Sequence, residues 1–188
     1  SGKMGFAIAE AFAKRGANVT LIAGPVNLTT AKNVNRINVI SAQEMWQASL
    51  ESAVKNQIFI GCAAVADYRV AEVAEQKIKK SGDEISIKLI KNPDIISDVG
   101  HLKTHRPFTV GFAAETQNVD DYAKDKLERK NLDMICANDV SGGQVFNADE
   151  NALQLFWKNG HKKLSLKSKV ELAADLVNEI IERYQKTL

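Results

Sequence analysis

The chain has 188 residues, a formal net charge of +2 and an ordinary globular composition, with 45% hydrophobic and 26% charged residues. That is enough for one domain with a real core and too little for two large ones. The near-balanced charge gives no reason to expect a nucleic-acid or membrane partner, and no apolar run approaches the roughly 18 residues of a membrane span.

The chain opens on Ser1-Gly-Lys-Met-Gly5, a glycine turn at a helix start. Such a turn normally follows a strand. None precedes it in this sequence, so the chain reads as a fragment, or as one cut or nicked in a loop. Met4, Ile8, Ala11 and Phe12 have helical spacing, and Gly16 ends that helix. Residues 18–23 read as a buried strand closed by Gly24-Pro25, and residues 36–40 as another. Ser41 with Glu44 forms a capping box for a helix over about 42–54. Residues 58–64 are the next buried strand. Alternation with short connections points to a parallel sheet with helices on both faces.

Residues 84–90 alternate, with Ile85, Ile87 and Leu89 on one side, and predict a half-exposed strand outside that scheme. Asn92-Pro-Asp94 starts a further helix. Residues 108–113 form a strand. Residues 119–130 form a helix, acidic at its start and basic toward its end. Residues 132–137 form another strand, followed by a polar loop over 141–151. Residues 153–157 and 163–166 predict a hairpin with Asn159-Gly160 as its tight turn, and 168–184 a last helix. The fold class is α/β: a Rossmann-like, doubly wound, mainly parallel sheet with helices on both faces, plus an extra strand and hairpin region. Cys62 and Cys136 lie near strand ends and read as buried thiols, which suits a reducing cytoplasm.

Several segments have chemistry to offer. The opening turn is either a plain helix start or a phosphate cradle, since backbone N–H groups and the helix dipole favour anions there. It is neither a Walker A motif nor GxGxxG. Asp67 follows an apolar strand and small residues, where a doubly wound sheet binds ligand. It is either a sugar or metal contact, or a cap. Lys77-Ile-Lys-Lys80, with Ser81-Gly-Asp83, is a solvated charge run or a lid. Gly111-Phe-Ala-Ala-Glu-Thr116 and Ala137-Asn-Asp-Val140 repeat the pattern of a strand running into small residues and an acid. Together the three endings would line one sheet edge. Lys126 and Lys130 are one helical turn apart and point the same way, toward phosphate or toward water. The three histidines show no metal-ligand spacing, and no GxSxG elbow is present.

Taken in order, Ser1-Gly-Lys-Met-Gly5, Ala63-Ala-Val-Ala-Asp-Tyr-Arg69, Lys77-Ile-Lys-Lys80, Lys91-Asn-Pro-Asp-Ile95, Val110-Gly-Phe-Ala-Ala-Glu-Thr116 and Ala137-Asn-Asp-Val140 resemble bacterial phosphopantothenate–cysteine ligase. That is the C-terminal domain of the bifunctional coenzyme A biosynthesis flavoprotein, and the likeness covers essentially the whole chain as a single domain, residues 1–188. It implies a CTP-dependent ligase that needs Mg2+ and joins 4'-phosphopantothenate to cysteine through an acyl-cytidylate.

By resemblance, Lys77 is the essential loop lysine. Ala63 frames the acyl-nucleotide and Asp67 contacts the CTP. Pro93, Asp94, Ile95 and Ile96 form the turn that recognises cytosine. Phe112 packs near the nucleotide, Lys126 and Lys130 face the triphosphate, and Gly2 and Gly5 lie near the phosphopantothenate phosphate. The metal ligands are not identified. The resemblance also implies a cytoplasmic homodimer. The 84–90 strand and the 153–166 hairpin are the candidate contacts. In the full-length protein a flavin decarboxylase domain is expected as a neighbour, with no flavin in this chain.

The family's asparagine and arginine upstream of the first glycine turn are absent from the sequence. If the chain truly begins here, loss of cysteine coupling and a damaged sheet edge are expected. Two other readings compete. One is a nicotinamide-dependent short-chain oxidoreductase, for which Tyr122 and Lys126 have the required spacing but no acid ends the second strand. The other is a non-catalytic nucleotide-binding fragment.

Overall fold

The computed structural model describes residues 1–80, 82–115, 118–139 and 150–188. Helix α1 (Lys3–Lys14) leads into strand β1 (Val19–Ala23), β2 (Val34–Asn38), α2 (Ala42–Ala53) and β3 (Ile58–Gly61). A two-stranded antiparallel arm follows, β4 (Tyr68–Val70) with β5 (Leu89–Lys91). Then come α3 (Ile95–Gly100), β6 (Phe108–Glu115), α4 (Val119–Arg129), β7 (Met134–Asp139), β8 (Glu150–Trp157), β9 (Gly160–Ser168) and α5 (Lys169–Gln185).

The main sheet runs β3-β6-β7-β8-β9. Strands β3, β6 and β7 are parallel, and β8 and β9 add antiparallel. The pair β1-β2 is parallel and forms a separate two-stranded sheet.

The pleat of the strands divides the core into two layers, because successive side chains point to opposite faces. Met134 and Cys136 of β7 join Val110, Leu153 and Leu155 under α1 and α5. Ile135 and Ala137 face the other way, with Phe156, Ala123 and Leu127 of α4 and Ile96 of α3. Helix α5 presents Leu172, Ala173, Leu176, Val177 and Ile180, all fully buried. That spacing is one stripe of a helix. A buried leucine or isoleucine of this kind contributes about 1.5–3 kcal/mol. Helices therefore cover both faces, as the alternating pattern predicts.

The capping box at α2 is present, Ser41 accepting from Glu44 N–H and Glu44 reaching back to the cap backbone. Gly16, just past the end of α1, has φ +82, as a glycine stop requires.

Several boundaries differ from those expected: β6 runs on to Glu115, β7 is shifted to Met134–Asp139, and both hairpin strands are longer, Glu150–Trp157 and Gly160–Ser168. Strand β2 pairs as Val34–Asn38, two residues earlier than expected, in parallel register with Val19–Ala23, and Val39 N–H donates to Ala23 O at 2.9 Å as the last rung. Strand β3 ends at Gly61 and leaves 62–64 outside the sheet. The expected 84–90 strand pairs only at Leu89–Lys91, since β4 offers just three residues to pair with, and Ile85 and Ile87 stay exposed. In the hairpin, Trp157 pairs with Gly160, so the two-residue turn is Lys158-Asn159. Gly160 is the first residue of β9, where a Cβ would lie 2.9 Å from the Trp157 ring. Ser81, Thr116, Val140 and residues 141–149 of the expected polar loop lie outside the described residues.

Candidate active site

In a doubly wound sheet the ligand end is where strands give way to helix N-termini. Gly2 has φ +77 as it enters α1, and a Cβ there would lie 3.3 Å from Val26 and 3.4 Å from Leu28, both in the loop after β1. Gly5, on the first turn of α1, faces Cys62 just past β3, whose Cβ would be 3.8 Å from one placed on the glycine. The opening turn therefore sits between the carboxyl ends of β1 and β3.

Past β3 the chain runs through exposed Ala63 and exposed Asp67 into the arm. The segment is laced to the turn before α3 by Asn92, whose buried side chain donates to Ala66 O at 2.8 Å while its N–H donates to Asp67 O at 2.8 Å. Arg69 donates from Nη1 to Lys91 O at 2.8 Å and to Asn92 Oδ1 at 3.1 Å. The 63–67 segment and the 92–96 turn, two stretches singled out from sequence, are thus one unit. Asn92 is the brace; sequence reading considered it only as a possible helix start.

Asp94, not Asn92, is the N-cap of α3, accepting from Ser97 N–H at 3.2 Å. Its other oxygen meets Lys130 Nζ at 2.9 Å. Partial burial works against its charge, but the Lys130 ammonium, the Ser97 N–H and the Arg129 charge together outweigh it. The carboxyl lies below its ordinary value. Pro93, Ile95 and Ile96 are half-buried around it. Ile96 packs on Gly61, where a Cβ would come within 2.8 Å of Ile96 Cδ1. Glycine at the end of β3 leaves room for the tip of that side chain.

Phe112 is half-buried against the α1–α5 layer, on the opposite face from Ile96. Lys126 is half-buried on the last turn of α4, and Lys130 is that helix's C-cap. Lys77 is exposed on the connection between β4 and β5, at the far end of the arm from Asp67 and Asn92. The ladder of that arm extends one step beyond its strands, Ala71 N–H donating to Lys88 O at 2.9 Å. Strands β6 and β7 end level, with Ala114 opposite Asn138 and Glu115 opposite Asp139. Tyr122, the residue an oxidoreductase would need, is 51% exposed on the first turn of α4.

Two surface hollows of about 390 and 370 Å3 flank the Gly2 turn and the ends of β1 and β2. None of the residues expected at the nucleotide lines either of them. Burial pushes the Cys62 thiol up to about 11, and it also raises the fully buried Cys136 thiol well above its ordinary value. Both stay protonated at neutral pH and act as packing groups. Among the described residues no three His, Cys, Asp or Glu side chains gather as a metal site, and no helix is long and apolar enough to cross a membrane.

Fold and edge together define a Rossmann-like α/β domain in which the carboxyl ends of β1 and β3 meet the start of α1, and the segment after β3 is laced to the turn before α3. The chain belongs to the family of the DNA/pantothenate metabolism flavoprotein C-terminal domain, whose model matches residues 1–184. It is 99% identical over 188 residues to the coenzyme A biosynthesis bifunctional protein CoaBC of Haemophilus influenzae, covering 100% of this chain and 47% of that one. It is 58% identical over 190 residues to CoaBC of Escherichia coli K12, covering 99% and 47%. The chain thus spans about half the length of these relatives. A crystal structure of the C-terminal domain of a CoaBC protein superposes with a TM-score of 0.83 at 35% identity, covering 99% of this chain and 84% of that one.

Proposed function

We propose that this chain is the ligase portion of a bifunctional coenzyme A biosynthesis protein, joining 4'-phosphopantothenate to L-cysteine at the expense of CTP. Family membership over residues 1–184 supports the pathway. The structural observation that carries the reading is the Asn92 lacing, which joins the end of β3 to the turn before α3. A base held by one segment would have its ribose and phosphates beside the other.

In the first step a carboxylate oxygen of 4'-phosphopantothenate attacks the α-phosphorus of CTP. The bond to the bridging oxygen breaks and pyrophosphate leaves. In the second, the amine of cysteine attacks the acyl carbon of the acyl-cytidylate, CMP leaves with the electron pair, and the nitrogen loses a proton. The first step brings like charges together, so positioning and cationic groups dominate the barrier. Backbone groups of Pro93, Asp94, Ile95 and Ile96 hold the cytosine, Asp67 a sugar hydroxyl, Ala63 and Phe112 the faces of the nucleotide. Lys126 and Lys130 offset triphosphate charge. Lys77, swung in on its arm, offsets the charge that develops at the α-phosphorus. Gly2 and Gly5 present backbone N–H groups to the phosphate of phosphopantothenate.

Magnesium would travel with the triphosphate, which usually supplies most of its ligands besides water, and would screen the phosphate charge. The exposed carboxylate of Asp67 fits that role, because such a site needs only one or two protein carboxylates. A flavin decarboxylase domain would occupy the other half of a protein the length of the relatives, and its substrate would be the ligase's product. The protein would work in the cytoplasm.

The chain is proposed to act as a homodimer. A two-stranded arm is marginal alone, and this one carries exposed Tyr68, Val73, Ile78, Ile85, Ile87 and Leu89. Such an apolar face is covered by a second copy of the arm.

Incubation of the full-length chain with CTP, Mg2+, 4'-phosphopantothenate and cysteine tests the reading, with products resolved by mass spectrometry. Phosphopantothenoylcysteine and CMP in equal amounts are expected. AMP from ATP at the same rate would remove the cytosine assignment, and no coupled product would remove the ligase assignment.

A further inference from the structure

We propose that Arg106 and Asn131 are positioning residues for the nucleotide turn, acting through the backbone of α3. The inference rests on reading Pro93–Ile96 as that turn.

The two side chains converge on one carbonyl. Arg106 Nε donates to Gly100 O at 2.8 Å, and Asn131 Nδ2 donates to the same oxygen at 2.6 Å. Arg106 Nη2 donates to Asn131 O at 2.5 Å. Arg106 Nη1 donates to Asp133 Oδ2 at 2.8 Å and to Pro107 O at 3.2 Å. The same Asp133 oxygen accepts from Thr109 N–H at 2.7 Å. One guanidinium therefore ties the end of α3, the residue after the α4 C-cap, and the starts of β6 and β7. Asn131 stands at φ 52 to present its carbonyl and its amide to this hub. Gly100 is buried, and a Cβ there would collide with Lys130 O, so the ends of α3 and α4 touch backbone to backbone.

The hub lies at the amino ends of β6 and β7, while ligand chemistry belongs at their carboxyl ends. Strand β6 has eight residues, a span of roughly 25 Å at strand rise. These residues therefore act at a distance. Helix α3 is only six residues long, about 9 Å at helical rise. A short rigid rod held at its last carbonyl is also held at its first turn, which the Asp94 side chain caps. The same hub fixes the residue after Lys130. Thus it sets both ends of the Asp94–Lys130 pair from below, without touching a ligand.

The test uses the full-length chain with Arg106→Lys and Asn131→Gly. The lysine keeps a cation for Asp133 and loses the fork. The glycine keeps the left-handed backbone and loses only the amide donor, so it protects against loss of fold. Initial rates are read well below the unfolding temperature, with circular dichroism confirming the folded state. The KM for CTP is expected to rise about tenfold in both variants, with the KM for cysteine changed by less than about twofold. An unchanged KM for CTP in folded Asn131→Gly, or equal rises for CTP and cysteine, would overturn the proposal and leave the hub a fold-stabilising device. A wild-type chain that does not saturate with CTP would remove the nucleotide reading, and this inference with it.

Discussion

Lys130 Nζ lies 2.9 Å from Asp94 Oδ2, so one ion pair joins the C-cap of α4 to the N-cap of α3. By resemblance both residues are expected at the nucleotide, and the fold pairs them. The side chains are 19% and 37% exposed, so screening limits what the pair adds to stability. Asp94→Asn keeps an equally good cap and removes only the charge. It is expected to cost no more than about 1 kcal/mol in urea unfolding.

The pair also sets an acid dependence. The Asp94 carboxyl is depressed below its ordinary 3.8. Its contribution to stability is therefore complete above that value and lost as the pH falls through the folded-state pKa. Urea midpoints measured across the acid range should fall more steeply for the wild type than for Asp94→Asn. Parallel profiles would contradict the pairing.

Gly61 is required by Ile96, not by a turn. A Cβ at position 61 would lie 2.8 Å from Ile96 Cδ1. Gly61→Ala should destabilise by about 1–3 kcal/mol through overpacking. Adding Ile96→Val should restore part of that loss, because it shortens the side chain that clashes. Additive losses in the double mutant would show that the contact is not the cause.

The two thiols give a simple check on the core. Burial raises Cys62 to about 11 and also raises Cys136 well above its ordinary value. A thiol reagent at mildly alkaline pH should label the native chain slowly and both cysteines at once after denaturation. Fast native labelling of Cys62 would mean that the contact with Gly5 is open in solution.

Ile85, Ile87 and Leu89 are 67%, 62% and 55% exposed on one side of the arm. Ile85→Lys with Ile87→Lys should convert a dimer to a monomer in sedimentation equilibrium while leaving the far-ultraviolet dichroism unchanged. Wild-type protein that sediments as a monomer would remove the dimer.

Most of the fold was legible because its signals are local. The capping box at Ser41 and Glu44, the buried stripe of α5 and the apolar runs of β6 and β7 each lie within a few residues. What could not be read depends on distant partners. Strand β4 exists only because Leu89–Lys91 returns beside it. The Asn92 brace reaches 26 residues back to Ala66. The Arg106 hub draws on backbone carbonyls of three elements, which no side-chain pattern encodes. The candidate segments were legible as separate motifs, and the lacing that joins 63–67 to 92–96 was not. Lys77 was singled out as a loop lysine, and the structure adds that its loop is the connection of an exposed arm.

The most direct test is pyrophosphate release from CTP by the full-length chain, with Mg2+ and 4'-phosphopantothenate but no cysteine, compared with Lys77→Gln. The lysine is exposed, so the variant should fold normally. Release that requires phosphopantothenate and falls at least about a hundredfold in the variant is predicted, in line with loss of one transition-state charge contact. Release that ignores phosphopantothenate, or that is unchanged in Lys77→Gln, would contradict the account.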